Sequence, residues 1–198
     1  MAEIRSTFDL VMERAARMEA EAGNQASNEE IMQKGMKKAA AYMRGEDIDL
    51  ITTLKNSSKQ EKTFILKGIV QAFLRNVTLP RHESDLDNSN RAMQGLVELG
   101  QGGGDLLSMF SDIKSILDRY IEHKKQLKKQ LEEQFSQQMA LMEQNLAQQT
   151  GVSMKLEPSQ HPKFAEEWLK LQTQLNEQYG EALKQYKNQV SQRLASFV

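Results

Sequence analysis

The chain has 198 residues, of which 26 are basic and 27 acidic, giving a formal charge of −1; no segment is basic enough to draw in nucleic acid by bulk charge. Hydrophobic residues at 39% and charged residues at 27% exclude a disordered chain and fit an elongated helical one. Cysteine is absent, which rules out disulfides, thiolate metal sites and a cysteine nucleophile.

Only three prolines occur and the glycines cluster, so most of the chain is free of helix breakers. The expected fold class is all-α. The start, Met1 to Asp9, lacks the apolar core of a signal peptide, and the most apolar stretch, Phe64 to Leu74, is interrupted by Lys67 and Gln71. That stretch is too short to span a bilayer. A soluble, cytoplasmic protein with no membrane contact is expected.

In chain order, Ile4, Phe8, Val11, Met12, Ala15 and Met18 recur at three- and four-residue steps, predicting a helix from about Ile4 to Ala22. Gly23-Asn24 is read as its stop, since both residues tolerate left-handed backbone. Ser27 and Glu30 have capping-box spacing and would open a second helix, with Met32, Met36, Ala39, Ala40 and Met43 inward and Gly45 at its end. A short helix follows, from about Asp47 to Leu54.

Ser58 and Glu61 form a second capping box before Phe64, Ile65, Ile69, Val70, Phe73 and Val77, a stripe widened by Leu66 and Leu74. A stripe that wide belongs to a helix covered by neighbours, at the centre of the N-terminal half. Leu79-Pro80 stops it. Asp87 or Asn88 caps the next helix, through Met93, Leu96 and Val97 to Leu99. These elements make an N-terminal helical bundle over 1–99, followed by a glycine-rich hinge at 100–104.

From Asp105 to about Gln149 the apolar positions are Leu106, Phe110, Ile113, Leu117, Tyr120, Leu127, Leu131, Phe135, Met139, Met142 and Leu146, and only Lys124 breaks the series. The final helix, from about Lys163 to Phe197, carries Phe164, Trp168, Leu171, Leu175, Tyr179, Leu183, Tyr186, Val190, Leu194 and Phe197. Phe164, Leu175, Tyr186 and Phe197 stand eleven residues apart, a period suited to nearly straight packing. Residues 105–198 therefore read as a long antiparallel, coiled-coil-like helical hairpin with a connecting loop at 150–162, where Gly151, Pro158 and Pro162 break the helix. One hairpin leaves part of its aromatic stripe uncovered, so Trp168, Tyr179 and Tyr186 are expected to meet further helices or a second copy of the chain.

The run Ala2 to Arg14, the cluster Leu86-Asp87-Asn88-Ser89-Asn90 before a helix and glycine-rich break, and Thr150-Gly151-Val152-Ser153 ahead of Pro158 and a tryptophan-bearing helix are together similar to a family of uncharacterised bacterial proteins of about this length. That resemblance implies a mostly helical fold in a bacterial cytoplasm. It supplies no activity and no site residues.

No catalytic, cofactor-binding or metal-binding residue can be assigned. The glycine run before Asp105 lacks the Gly-Lys-Ser/Thr of a phosphate loop, and an aspartate there repels phosphate. Asp85 to Asn90 lacks the glycine and bidentate glutamate of a calcium loop. His82, His123 and His161 have no partner at metal-ligand spacing on a helix face. The densest basic patch holds Lys124, Lys125, Lys128 and Lys129, two adjacent ridges on a helix. No aromatic residue interleaves these lysines and Glu122, Glu132 and Glu133 offset them, so a solvated face is preferred and nucleic acid is the alternative. The expected function is that of a non-enzymatic structural or adaptor protein acting through protein–protein contacts. Its partner would be a second copy of itself or a helical protein, with Lys124, Lys125, Lys128, Lys129, Trp168, Tyr179 and Tyr186 as the candidate surface and no cofactor. An enzyme with a site between the two halves is the remaining alternative.

Overall fold

The computed structural model describes residues 7–82, 84–150 and 157–196, without the side chains of 7–11, 15–16, 19–26, 142, 145–147, 149–150, 160 and 162. Ile4, Phe197 and the linker 151–156 thus lie outside the described residues, as do the side chains of Phe8, Val11, Ala15, Met142 and Leu146. Every element among the described residues is helical: α1 Thr7–Met43, α2 Leu50–Lys55, α3 Lys59–Asn76, α4 Asp85–Leu99, α5 Gly104–Thr150, a 3-10 turn Pro158–Gln160, and α6 Pro162–Ala195. They form two compact units. The first holds Met1–Val77, Asn88–Leu106 and Val190–Val198, and the second Thr78–Asp87 and Leu107–Gln189.

The first unit corrects the two-helix reading of the N-terminus. α1 runs unbroken through Gly23-Asn24, and Ser27 and Glu30 lie inside it rather than capping a new start. One interior glycine costs only about 1 kcal/mol, and the alanines and glutamates on either side propagate the helix across it. Met12 and Met18, placed by their spacing on an apolar face, are exposed. Further along, α3 crosses α1. There the two backbones touch. A Cβ on Gly35 would lie 2.2 Å from the Ile65 carbonyl oxygen, and one on Gly68 2.1 Å from that of Met32. As the α1 number rises the α3 number falls, so these helices cross in opposite directions through a reciprocal glycine contact.

Local chemistry sets the helix ends. α2 starts at Leu50 rather than at about Asp47, and Asp49 caps it, its carboxylate accepting the Ile51 and Thr52 amides at 2.9 Å. Ser58 and Glu61 complete the expected capping box on α3. Gly45, with φ 86, ends α1, the Glu46 amide donating back to the Ala41 carbonyl. α4 begins at Asp85 rather than at Asp87 or Asn88. At its far end the Gln101 amide donates to Glu98 and the Gly102 amide to Val97, a Schellman pair that puts Gln101 at φ 51. Gly100 serves close approach here: a Cβ would meet Leu106 Cδ1 at 2.1 Å and Leu194 Cδ2 at 3.5 Å.

α3 is the buried centre of this unit. Ile65, Leu66, Ile69, Val70, Phe73 and Leu74 are all buried on it. The Phe73 ring lies against Gly95 of α4, whose Cβ would stand 2.6 Å from it, and meets Tyr42 edge-on at 5.4 Å. Burying such a ring contributes about 1.5–3 kcal/mol. The buried Ser89 hydroxyl donates to the carbonyl of Asn76, one of the acceptors left open where α3 ends. Asp105 pairs with Arg193, and that guanidinium holds the Asp105 carboxyl below the usual carboxylate range.

In the second unit α5 and α6 meet through their apolar stripes. Tyr120 stacks edge-on with Tyr179 at 5.6 Å and donates to the Asn176 side-chain oxygen at 2.7 Å. Further along α5, Phe135 meets Phe164, earlier on α6, at 5.5 Å. The helices therefore run in opposite directions here. Leu131, Phe135 and Phe164 form a buried cluster with Trp168 and Leu171 packed on it.

Candidate functional site

On α5 the spacing of Ile121, Lys124, Lys125 and Lys128 places all four on one face, one helical turn after another. In the second unit that face forms one wall of a cleft of about 220 Å³. Trp168 of α6 and the loop residues Pro80, Arg81 and His82 complete it. Pro80, Ile121 and Trp168 supply apolar surface, while Arg81, His82, Lys124, Lys125 and Lys128 supply cationic or protonatable groups. No carboxylate, hydroxyl or thiol occurs among the described lining residues.

Lys124 explains its own oddity in the sequence. It occupies a seam position that the pattern reserves for an apolar residue, and its ammonium donates to the Arg81 carbonyl at 3.2 Å. The same nitrogen lies 5.8 Å from the centre of the Tyr120 ring, within cation–π range. Lys124 thereby fastens the 80–82 loop to α5. Asp85 holds that loop from the other side, accepting the Arg81 amide at 2.8 Å and the His82 amide at 3.1 Å. These amides pull the Asp85 carboxyl below its usual range, His82 first. Asp85 thus secures the backbone of the loop that precedes α4.

Trp168 is equally well placed. It is half-buried, packs on the Leu131–Phe135–Phe164 cluster, and turns part of its indole to the cleft. The lysines keep loose pairs with acids on their own helix. Lys125 stands 3.7 Å from Glu122 and Lys128 3.7 Å from Glu132, all largely exposed. Exposed pairs of this length contribute about 0–1 kcal/mol and are easily exchanged for another anion.

Of the candidate surface, the fold brings together Lys124, Lys125, Lys128 and Trp168. Lys129 points elsewhere and pairs with Glu133 at 3.7 Å. Tyr179 lies in the α5–α6 seam, where its hydroxyl and the His123 ring share a hydrogen bond at 3.4 Å. Tyr186 is half-buried outside the cleft. Sequence reasoning missed Pro80, Arg81, His82 and Ile121, and treated the lysines as lacking an aromatic neighbour. The fold supplies two, Tyr120 one turn before Lys124 and Trp168 from the other helix. The available signal was the single lysine in an apolar series. His161 instead stacks near Phe135 at 5.1 Å and accepts the Lys163 amide. No group of three metal-ligating side chains occurs among the described residues. No helix among them is long and apolar enough to cross a membrane.

Residues 51–192 match the model of a family of unknown function, DUF6657. The chain belongs to that family. A family without an established activity is what the resemblance implied, and every residue lining the cleft falls inside the matched segment. No curated protein matches the chain, and no solved structure does.

Proposed function

We propose that this DUF6657 chain is a non-enzymatic helical adaptor of the cytoplasm that acts through protein–protein contacts, and that the cleft of its second unit is where a partner is held. One observation carries the reading: five cationic or protonatable side chains converge on a surface anchored by a tryptophan. Tryptophan and arginine are the residues most often found at the energetic centre of an interface, and arrangements of this kind steer an oppositely charged partner. Among the described lining residues the apolar surface and the cations are suited to holding a partner.

A photo-crosslinking side chain placed at Lys125 tests this in the native cell. A discrete adduct with one protein is expected. Loss of the adduct on nuclease treatment, or no adduct at all, would overturn the reading. Two further outcomes fall under the same reading: a coiled-coil partner helix, or a second copy of the chain, which light scattering of the purified protein detects as a doubled mass. Nucleic acid is the rival, supported by the tryptophan beside the lysines, because a base stacks on such a ring while its phosphates meet the cations. It predicts binding that collapses steeply with salt.

A further inference from the structure

We infer that the cleft takes a short acidic segment of a partner protein bearing one aromatic or leucine side chain between its carboxylates. This deepens the adaptor reading and rests on it. Size decides the first point. About 220 Å³ lies below the roughly 300–1,000 Å³ typical of pockets for small organic ligands and cofactors, and suits a single large side chain. Chemistry decides the second. That side chain would lie on Trp168, Ile121 and Pro80, while Lys125, Lys128 and Arg81, which line the same cleft, would meet flanking carboxylates. Lys124 acts as a positioning residue, since its ammonium is already bound to the Arg81 carbonyl.

Charge decides against a polyanion. A nucleic-acid groove needs an extended field along successive phosphates. Here Glu122, Glu132 and Glu133 shadow Lys125, Lys128 and Lys129 along the helix, and the whole chain carries −1. An acidic peptide needs no such field. It exchanges two loose surface pairs for its own carboxylates and adds apolar contact that salt does not screen.

Trp168 is the only tryptophan, so all of the indole emission comes from a ring that lines the cleft. The intact chain is titrated with acidic twelve-residue peptides carrying Phe, Leu or Ala at the centre, and separately with a single-stranded oligonucleotide. The Phe and Leu peptides should shift the emission to the blue and bind about tenfold or more tightly than the Ala peptide, the worth of one buried apolar side chain. Lys125→Gln and Lys128→Gln should each weaken them by up to about fivefold, as expected for the loss of one exposed ion pair. Lys129→Gln, on the same helix but off the cleft, should change nothing, which separates a local effect from a general loss of charge or of fold. Equal binding of the Phe and Ala peptides would overturn the inference and leave the adaptor reading standing. Tighter binding of the oligonucleotide at the same ionic strength would overturn both. Silence from every peptide would overturn the inference, with the crosslink at Lys125 deciding the adaptor reading independently.

Discussion

Replacing Gly68 by alanine should destabilise the first unit, although alanine is the better helix former. Intrinsic propensity favours the substitution by about 1 kcal/mol. The new Cβ, however, would stand 2.1 Å from the Met32 carbonyl oxygen and 3.0 Å from its carbon. These are backbone atoms of a facing helix, so no side chain can swing aside; α1 and α3 must part by about 1 Å to restore van der Waals contact. The reciprocal Gly35 contact with Ile65 opens with them. Overpacking of a fixed core costs about 1–3 kcal/mol, and a clash with backbone lies at the upper end of that range, so after the propensity gain the net loss is up to about 2 kcal/mol. Gly180 is the control. It lies inside α6 with nothing within 4 Å of its would-be Cβ, so Gly180→Ala should stabilise by about 1 kcal/mol. Urea unfolding followed by circular dichroism measures both. A Gly68→Ala midpoint at or above that of the parent would refute the close crossing of α1 and α3.

Three further outcomes are expected. Gln101→Gly should raise stability by about 0.5–1 kcal/mol, seen as a higher melting temperature, because Gln101 holds φ 51 without glycine's freedom. Ser58→Ala should cost about 1 kcal/mol in urea unfolding, since it removes the cap of α3 and the hydroxyl that, with the Ser58 amide, keeps Glu61 below its usual carboxylate range. Tyr42 should ionise late: burial and the hydrogen bond it donates to Glu98 at 2.8 Å push it up to about 12. The folded state then holds this proton more tightly than the unfolded one. Its contribution is fully present below pH 10 and is lost as pH rises towards 12. Absorbance titration at alkaline pH should show that step move down in Glu98→Gln.

Much of the helical fold was legible because its causes are local. The wide apolar stripe from Phe64 to Val77 marked a covered helix, and Ile65, Leu66, Ile69, Val70, Phe73, Leu74 and Val77 are buried while Phe64 is half-buried. The Ser58–Glu61 spacing marked a helix start that forms as a complete capping box. Gly23-Asn24 misled because a stop signal has meaning only against the propensity on either side of it, and there the helix formers win. The site was half legible. Lys124, Lys125, Lys128 and Trp168 stood out by charge density and by rarity, whereas Arg81 and His82 carry no pattern that ties them to residues some forty positions later.

The sequence by itself determined that this chain is helical, where α3, α5 and α6 start, and many of the side chains in the apolar seams, since turns and caps depend on neighbours three or four residues away. Tertiary structure decided what the polar residues in those seams are for. Lys124 becomes a fastener and Trp168 part of the wall of a cleft once loop 80–82, α5 and α6 meet within the second unit. Contacts between distant segments are set by packing, and packing leaves no period in the chain to read.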